Sequence, residues 1–242
     1  MKTSVLPILL TVVFLLKINI IPAQQPPLTS YGLSYIGDIT LFRTTMIGHP
    51  EKQMISLSKI PGLRLNLRYA SENNFLHKSI YPEHTTDTYL RKPAYEALNM
   101  AVKDLNRQGL TLVVFDAYRP YSATITIWNV VKDDRYAANP VKGSAHNRGS
   151  AVDLTLAELN SRSTLPMPTD FDNFSDSANQ NFTQLDSIRM ANRALLKKTM
   201  EKYGFVSLST EWWHFSWQPS EQFEILDLSF LQLENLSLNG KK

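Results

Sequence analysis

The apolar positions of this 242-residue chain change their spacing from segment to segment, and each spacing predicts an element. Lys2 is followed by a largely apolar run from Val5 to Leu16, and a second short run leads to Ile21-Pro22-Ala23-Gln24. A basic start, an apolar stretch of about a dozen residues and a small residue at the cut point predict a secretory signal peptide over residues 1–23. Lys17 interrupts that run short of the ~18 residues a spanning helix needs, which argues against stable membrane insertion. Gln24 to Thr29, with Pro26-Pro27, predicts an extended lead-in, and residues 24–60 bring the chain into its domain. Leu63, Leu65, Leu67 and Tyr69 alternate with Arg64, Asn66 and Arg68, the period of a half-buried strand.

Farther on, Ala94, Ala97, Leu98, Ala101, Val102 and Leu105 form a stripe that predicts a helix from about Lys92 to Gln108, with Pro93 in its first turn and Gly109 as its stop. Leu110 to Phe115 is short and strongly apolar, as a buried strand is. Residues 122–131 read as helix. In Ala151 to Leu156, Val152, Leu154 and Leu156 share one face of a strand while Asp153 lies on the other. Residues 157–185, rich in Ser, Asn, Asp and Pro, read as a long surface loop. A helix follows from about Ser187 to Tyr203, with Ile188, Ala191, Leu195, Thr199 and Met200 inward and Gly204 ending it. Phe205–Leu208 and Trp213–Trp217 read as strands, and residues 229–242 as a tail. Helices and strands mix without a βαβ rhythm. The expected architecture is therefore a single α+β domain, catalytic over residues 61–228, whose central, largely antiparallel sheet is flanked by helices.

Composition narrows the classes. Apolar residues at 43% and charged residues at 19% describe a globular chain rather than a disordered one. Loss of residues 1–23 would take away Lys2 and Lys17 and no acid, so the formal charge of +3 would fall by two. Near neutrality gives no electrostatic case for nucleic acid as a partner. The absence of cysteine excludes Cys–His nucleophilic catalysis, Cys-ligated zinc and a lipid anchor on a cysteine. An exported, periplasmic or extracellular protein is expected, without any assignment of oligomeric state.

The chemistry sits in two short stretches. Ser144-Ala145-His146-Asn147-Arg148-Gly149-Ser150-Ala151-Val152-Asp153 and Glu211-Trp212-Trp213-His214 supply two imidazoles and a carboxylate, leaving a tetrahedral metal one open position. Glu211 adds a second carboxylate suited to proton transfer. It stands three residues from His214, so on a regular strand the two would face opposite ways unless Glu211 sits on the lip before it. The bland alternative makes His146 and Arg148 loop residues, Asp153 a turn acid and the tryptophans an ordinary core pair. A third stretch, Asp116-Ala117-Tyr118-Arg119-Pro120, ends the buried strand. Pro120 holds Arg119 extended, so the guanidinium either suits a developing oxyanion or pairs with Asp116 at the surface.

Together with Leu67-Arg68-Tyr69-Ala70, Asn74-Phe75 and Lys142-Gly143-Ser144, these motifs resemble the D-alanyl-D-alanine dipeptidases of the vancomycin-resistance type, a branch of the zinc D,D-peptidase family M15. The resemblance spans roughly residues 60–217 and implies the zinc D,D-peptidase, hedgehog-like fold. It implies one zinc per chain held by His146, Asp153 and His214, with Glu211 as general base and Arg119 stabilising the tetrahedral intermediate. It places substrate contacts at Tyr69, Asp116, Ser144 and Asp172, with a small dipeptide as partner. Two alternatives stay open: a D,D-carboxypeptidase or peptidoglycan endopeptidase on the same framework, and a non-catalytic binding module with a structural zinc.

Overall fold

In the computed structural model, which describes residues 27–239, the apolar run after Gly109 becomes a buried strand against which the other layers pack. The proposed signal peptide and the first residues of the lead-in lie outside the described residues. In chain order the elements are α1 (Ile39–Thr45), β1 (Met54–Ser56), β2 (Arg64–Leu65), β3 (Tyr89–Arg91), α2 (Lys92–Asn106), β4 (Leu110–Asp116) and α3 (Tyr121–Val131). Then follow β5 (Ala151–Glu158), α4 (Ser187–Lys202), β6 (Phe205–Ser207), β7 (His214–Trp217) and α5 (Phe230–Asn239). Strands β2-β4-β5-β7-β6 form a five-stranded sheet in which only β2 and β4 run parallel, while β1 and β3 pair separately. The fold is a single α+β domain with a largely antiparallel sheet.

The register of this sheet positions the chemistry. Asp153 of β5 pairs directly with His214 of β7, and an irregularity in β4 between Val114 and Asp116 brings Asp116 opposite Asp153. Helix α2 lays Ala94, Leu98, Ala101, Val102 and Leu105 on the sheet, all fully shielded, and the chain leaves it through Gly109 at φ +74°. That positive φ is why glycine ends the helix.

Four expectations are corrected. The alternation at 63–69 yields only the two-residue strand β2, because the chain turns into a 3-10 helix at Arg68–Ala70 that buries Tyr69. The stretch 157–185 is not simply surface. Its start belongs to β5, and Met167, Ala178 and Gln180 are buried, because the loop covers the aromatic layer beside the sheet. In α4 the inward residues are Arg193, Leu196, Thr199 and Met200, whereas Ile188 is 61% exposed and Ala191 faces solvent. The apolar residues of the first turn, Ile188 and Met190, face solvent instead.

The fourth correction concerns the tail. Residues 230–239 form α5, and Phe230 and Leu233 enter a second core with Ile36, Phe42, Tyr81 and Tyr118. Tyr118 ties the approach to this helix, its hydroxyl donating to the Leu228 carbonyl (2.8 Å) and accepting from the Leu228 amide (2.9 Å). No helix among the described residues is long and apolar enough to cross a membrane. If α5 is part of the core, Leu233→Ala should cost about 2–5 kcal/mol in urea unfolding. Leu231→Ala, at a residue 65% exposed on the same helix, should stay within ~0.5 kcal/mol. Equal effects at the two positions would make α5 an appendage.

Candidate metal centre

The loop between α3 and β5 is held from three sides. Asn147 is fully buried: its amide donates to the Arg119 carbonyl and to Thr124 Oγ1, both at 2.8 Å, and its Oδ1 accepts from the Ser144 amide at 2.9 Å. Arg91, also fully buried, donates through its backbone N–H to the Gly149 carbonyl (2.7 Å) and through Nε to the Arg148 carbonyl (2.8 Å). Gly149 turns the loop into β5 at φ +68°, and a Cβ there would stand 2.6 Å from the Met54 terminal methyl. Neither Asn147 nor Arg91 stood out in the sequence. Asn147 lay inside the motif already singled out, whereas Arg91 carries no local signal.

His146 leaves this loop with Nδ1 2.7 Å from the Ala117 carbonyl, a contact only an N–H can make, so its Nε2 carries the free lone pair. His214 places Nε2 3.0 Å from Ser216 Oγ. Donation from Nε2 to that oxygen is the tautomer that frees Nδ1 for a metal. The two ring nitrogens that face each other stand 3.1 Å apart, and Asp153 lies 3.4 Å from the first and 2.9 Å from the second. A metal ion can take all three as ligands at once. Ligands at 2.0–2.1 Å from a tetrahedral zinc stand about 3.3 Å apart, so the donor set fits that ion. His146, Asp153 and His214 are the described residues that could together hold a metal.

Glu211 sits in the turn before β7 rather than on the strand, which resolves the facing problem: its Oε2 lies 3.9 Å from His214 Nδ1. Burial pushes its carboxyl up to about 7. Trp212 and Trp213 are both core residues, packed edge to face at 5.3 Å, and Gln180 donates to the Glu211 and Trp212 carbonyls at 3.4 and 3.3 Å. Gln180, buried within a stretch read as surface loop, was not legible in advance.

Arg119 is not a surface residue. Its Nε and Nη2 grip Asp116 Oδ2 at 2.9 and 2.8 Å, Nη2 stands 3.7 Å from Asp153, and the guanidinium lies 5.1 Å from the Tyr69 ring centre. A cleft of about 390 Å3 opens over the cluster and is lined by every residue singled out from the sequence except Asp116. Asp116 is corrected from a substrate contact to a support. It is completely shielded and does not line the cleft, holding Arg119 and accepting from the Tyr81 hydroxyl at 2.7 Å. Across the cleft the Tyr69 hydroxyl donates to Asp172 Oδ2 at 2.9 Å. Burial, seconded by the charge of Asp153, pushes the Asp172 carboxyl well above its ordinary value. Asp172 itself adopts φ +58°, and Tyr136 and Arg135 line the cleft opposite, unflagged by any motif.

Residues 51–232 match the Peptidase_M15 family, described as D-ala-D-ala dipeptidase. The D-alanyl-D-alanine dipeptidase of Escherichia coli (strain K12) is 33% identical over 175 residues, covering 72% of this chain and 89% of that protein. The D-alanyl-D-alanine dipeptidase of Enterococcus faecalis (strain ATCC 700802 / V583) is 30% identical over 172 residues, 64% of this chain and 85% of its own length. Of solved structures, the LdcB LD-carboxypeptidase aligns over 59% of this chain and 67% of its own, with 20% identity and a TM-score of 0.38.

The contact between Ser216 and His214 yields a prediction about metal holding alone. Ser216→Ala should weaken zinc binding about 10–100-fold in competition with a chromophoric chelator, because the ring loses the partner that fixes its tautomer. Unchanged affinity would remove Ser216 from the ligand's support.

Proposed function

Because the chain belongs to the Peptidase_M15 family of D-Ala-D-Ala dipeptidases, a metallopeptidase family, we propose that it hydrolyses free D-alanyl-D-alanine to two D-alanines using zinc. The observation that carries this reading is the meeting of two imidazole nitrogens and the Asp153 carboxylate within 3.4 Å, with a second carboxylate, Glu211, 3.9 Å from one of them. His146, Asp153 and His214 would hold the ion. When bound, zinc would supply Lewis acidity to the attacking water and to the peptide carbonyl.

The remaining steps belong to the chain's own groups. Glu211, shielded enough to hold a proton near neutral pH, takes one from the attacking water and hands it to the leaving amine. Arg119 keeps its charge at any working pH and is fixed by Asp116, so it meets the developing oxyanion without having to reorganise. Asp172 receives the substrate ammonium. That arriving charge holds the carboxyl ionised against the burial that otherwise neutralises it. Ser144 Oγ already accepts from the His146 amide at 3.1 Å, so its own proton is free for the substrate carboxylate.

Recognition of both termini favours a free dipeptide, since a peptide extended at its amino end would bring no ammonium to Asp172 and leave it unpaired. The pattern of residues 1–23 supports export, which places the enzyme where such dipeptides arise from cell-wall metabolism. Glu211→Ala should retain a full complement of zinc by elemental analysis and lose about 10²–10⁴-fold in kcat. Turnover near wild type would end the assignment of Glu211. In a panel of dipeptides of defined stereochemistry and a pentapeptide stem, D-Ala-D-Ala should be cleaved, chelation should abolish that activity and zinc should restore it. Comparable turnover of the pentapeptide would instead favour a carboxypeptidase.

A further inference from the structure

The grip of Asp116 on Arg119 does not by itself fix where the guanidinium points. Both contacts fall on one oxygen: Nε and Nη2 reach Oδ2 at 2.9 and 2.8 Å, in place of the two-oxygen fork an arginine can make. A carboxylate held through one oxygen can still turn about its Cβ–Cγ bond and swing the arginine with it. Its other oxygen, Oδ1, accepts from the Tyr81 hydroxyl at 2.7 Å, in a buried contact between residues 35 apart in sequence. With each oxygen engaged by a different partner, the plane of the carboxylate is locked, and the guanidinium with it.

Tyr81 is itself seated from two sides. It is buried, its backbone N–H donates to the Tyr69 carbonyl at 3.0 Å, and its ring meets Tyr69 edge-on at 5.9 Å. On the other side the ring of Phe230, at the start of α5, lies 4.8 Å away. Phe230 also packs edge-on at 5.9 Å against Tyr118, which stands between Asp116 and Arg119 in the chain. Phenylalanine would pack at position 81 equally well, so packing alone does not call for the hydroxyl. A buried carboxylate oxygen in need of a donor does.

We propose that Tyr81 is a positioning residue for Arg119, acting through Asp116 and seated by the C-terminal helix through Phe230. Tyr81 does not line the cleft, so it reaches the reaction only by fixing the arginine that does. The assignment rests on the role proposed for Arg119 in the hydrolysis. A charge that meets a developing oxyanion contributes most when it is already in place, and displacing such a group by about 1 Å costs on the order of 10²-fold in rate. Because the oxyanion forms only as the reaction proceeds, the loss falls on kcat rather than on KM.

Tyr81→Phe keeps the ring and removes the hydroxyl. In steady-state hydrolysis of D-alanyl-D-alanine by the zinc-loaded full chain, it should lower kcat about 10–100-fold while KM and zinc affinity stay within about twofold. Arg119→Lys, which loses the planar fork, should lower kcat about 10²–10³-fold. Tyr81→Phe added to Arg119→Lys should then cost less than about twofold more, because the group it positions is gone. Phe230→Leu should lower kcat about threefold or more alone and add nothing to Tyr81→Phe. Full additivity of Tyr81→Phe with Arg119→Lys would overturn the proposal, since a mere loss of packing carries into any background. A fall in zinc affinity would also overturn it, by moving the effect to His146, whose Nδ1 stands 3.8 Å from Asp116. Equal losses from Phe230→Leu with and without the Tyr81 hydroxyl would detach α5 from the arginine. A loss in Arg119→Lys without one in Tyr81→Phe would end the positioning role alone. Wild-type turnover in Arg119→Lys would instead end the role given to Arg119 in the hydrolysis, and this one with it.

Discussion

Two imidazole nitrogens and a carboxylate are held here within reach of a single metal ion, and much of the molecule is arranged to keep them so. Left alone, such a cluster would relax by rotation of a ring or by protonation. It is held because each ring is anchored by its far nitrogen, His146 to the Ala117 carbonyl and His214 to Ser216. The anchors belong to the sheet and its immediate extensions, which are rigid because β4, β5 and β7 are hydrogen-bonded to one another through direct register. The sheet thus holds the three donors at metal-binding distances.

Buried charge around the cluster follows one rule: each ion has a partner fixed by the backbone. Asp116 would be untenable in the interior by itself, and burial does raise its pKa, yet Arg119 and Tyr81 both bond to it. Arg91, equally buried, is satisfied by the carbonyls of Lys52 and Arg148 and stacked between Phe42 and Phe223. Removing one partner of such a pair leaves the other stranded, which is why these positions do more for the geometry of the centre than for net stability.

Long periodic segments were legible because their pattern answers a single neighbour. Helix α2 faces one sheet, so its stripe and its Pro93 and Gly109 boundaries located it within two residues. The strands at 110–116 and 151–158 were legible for the same reason. Where a segment answers two neighbours, periodicity misled. Leu67 and Tyr69 alternate as a strand would, yet they pack into different cores across a 3-10 turn. Helix α5 was hidden because its stripe against the second core is short, with Phe230 and Leu233 buried and Leu236 partly so.

The sequence by itself determined which chemical groups are present: two histidines in distinctive settings, an aspartate between apolar residues, a glutamate before a tryptophan pair, and no cysteine to compete with them. Local rules also reach as far as the bend at Gly149, which only a residue without a Cβ makes cheaply. Whether those groups converge was decided in three dimensions, by the pairing of Asp153 with His214 from strands sixty residues apart and by the distant anchors Arg91 and Gln180. Metal-binding geometry depends on tenths of an ångström and on which nitrogen holds a proton. Such distances are set by cross-strand register and buried hydrogen bonds between remote segments, and no local pattern encodes them.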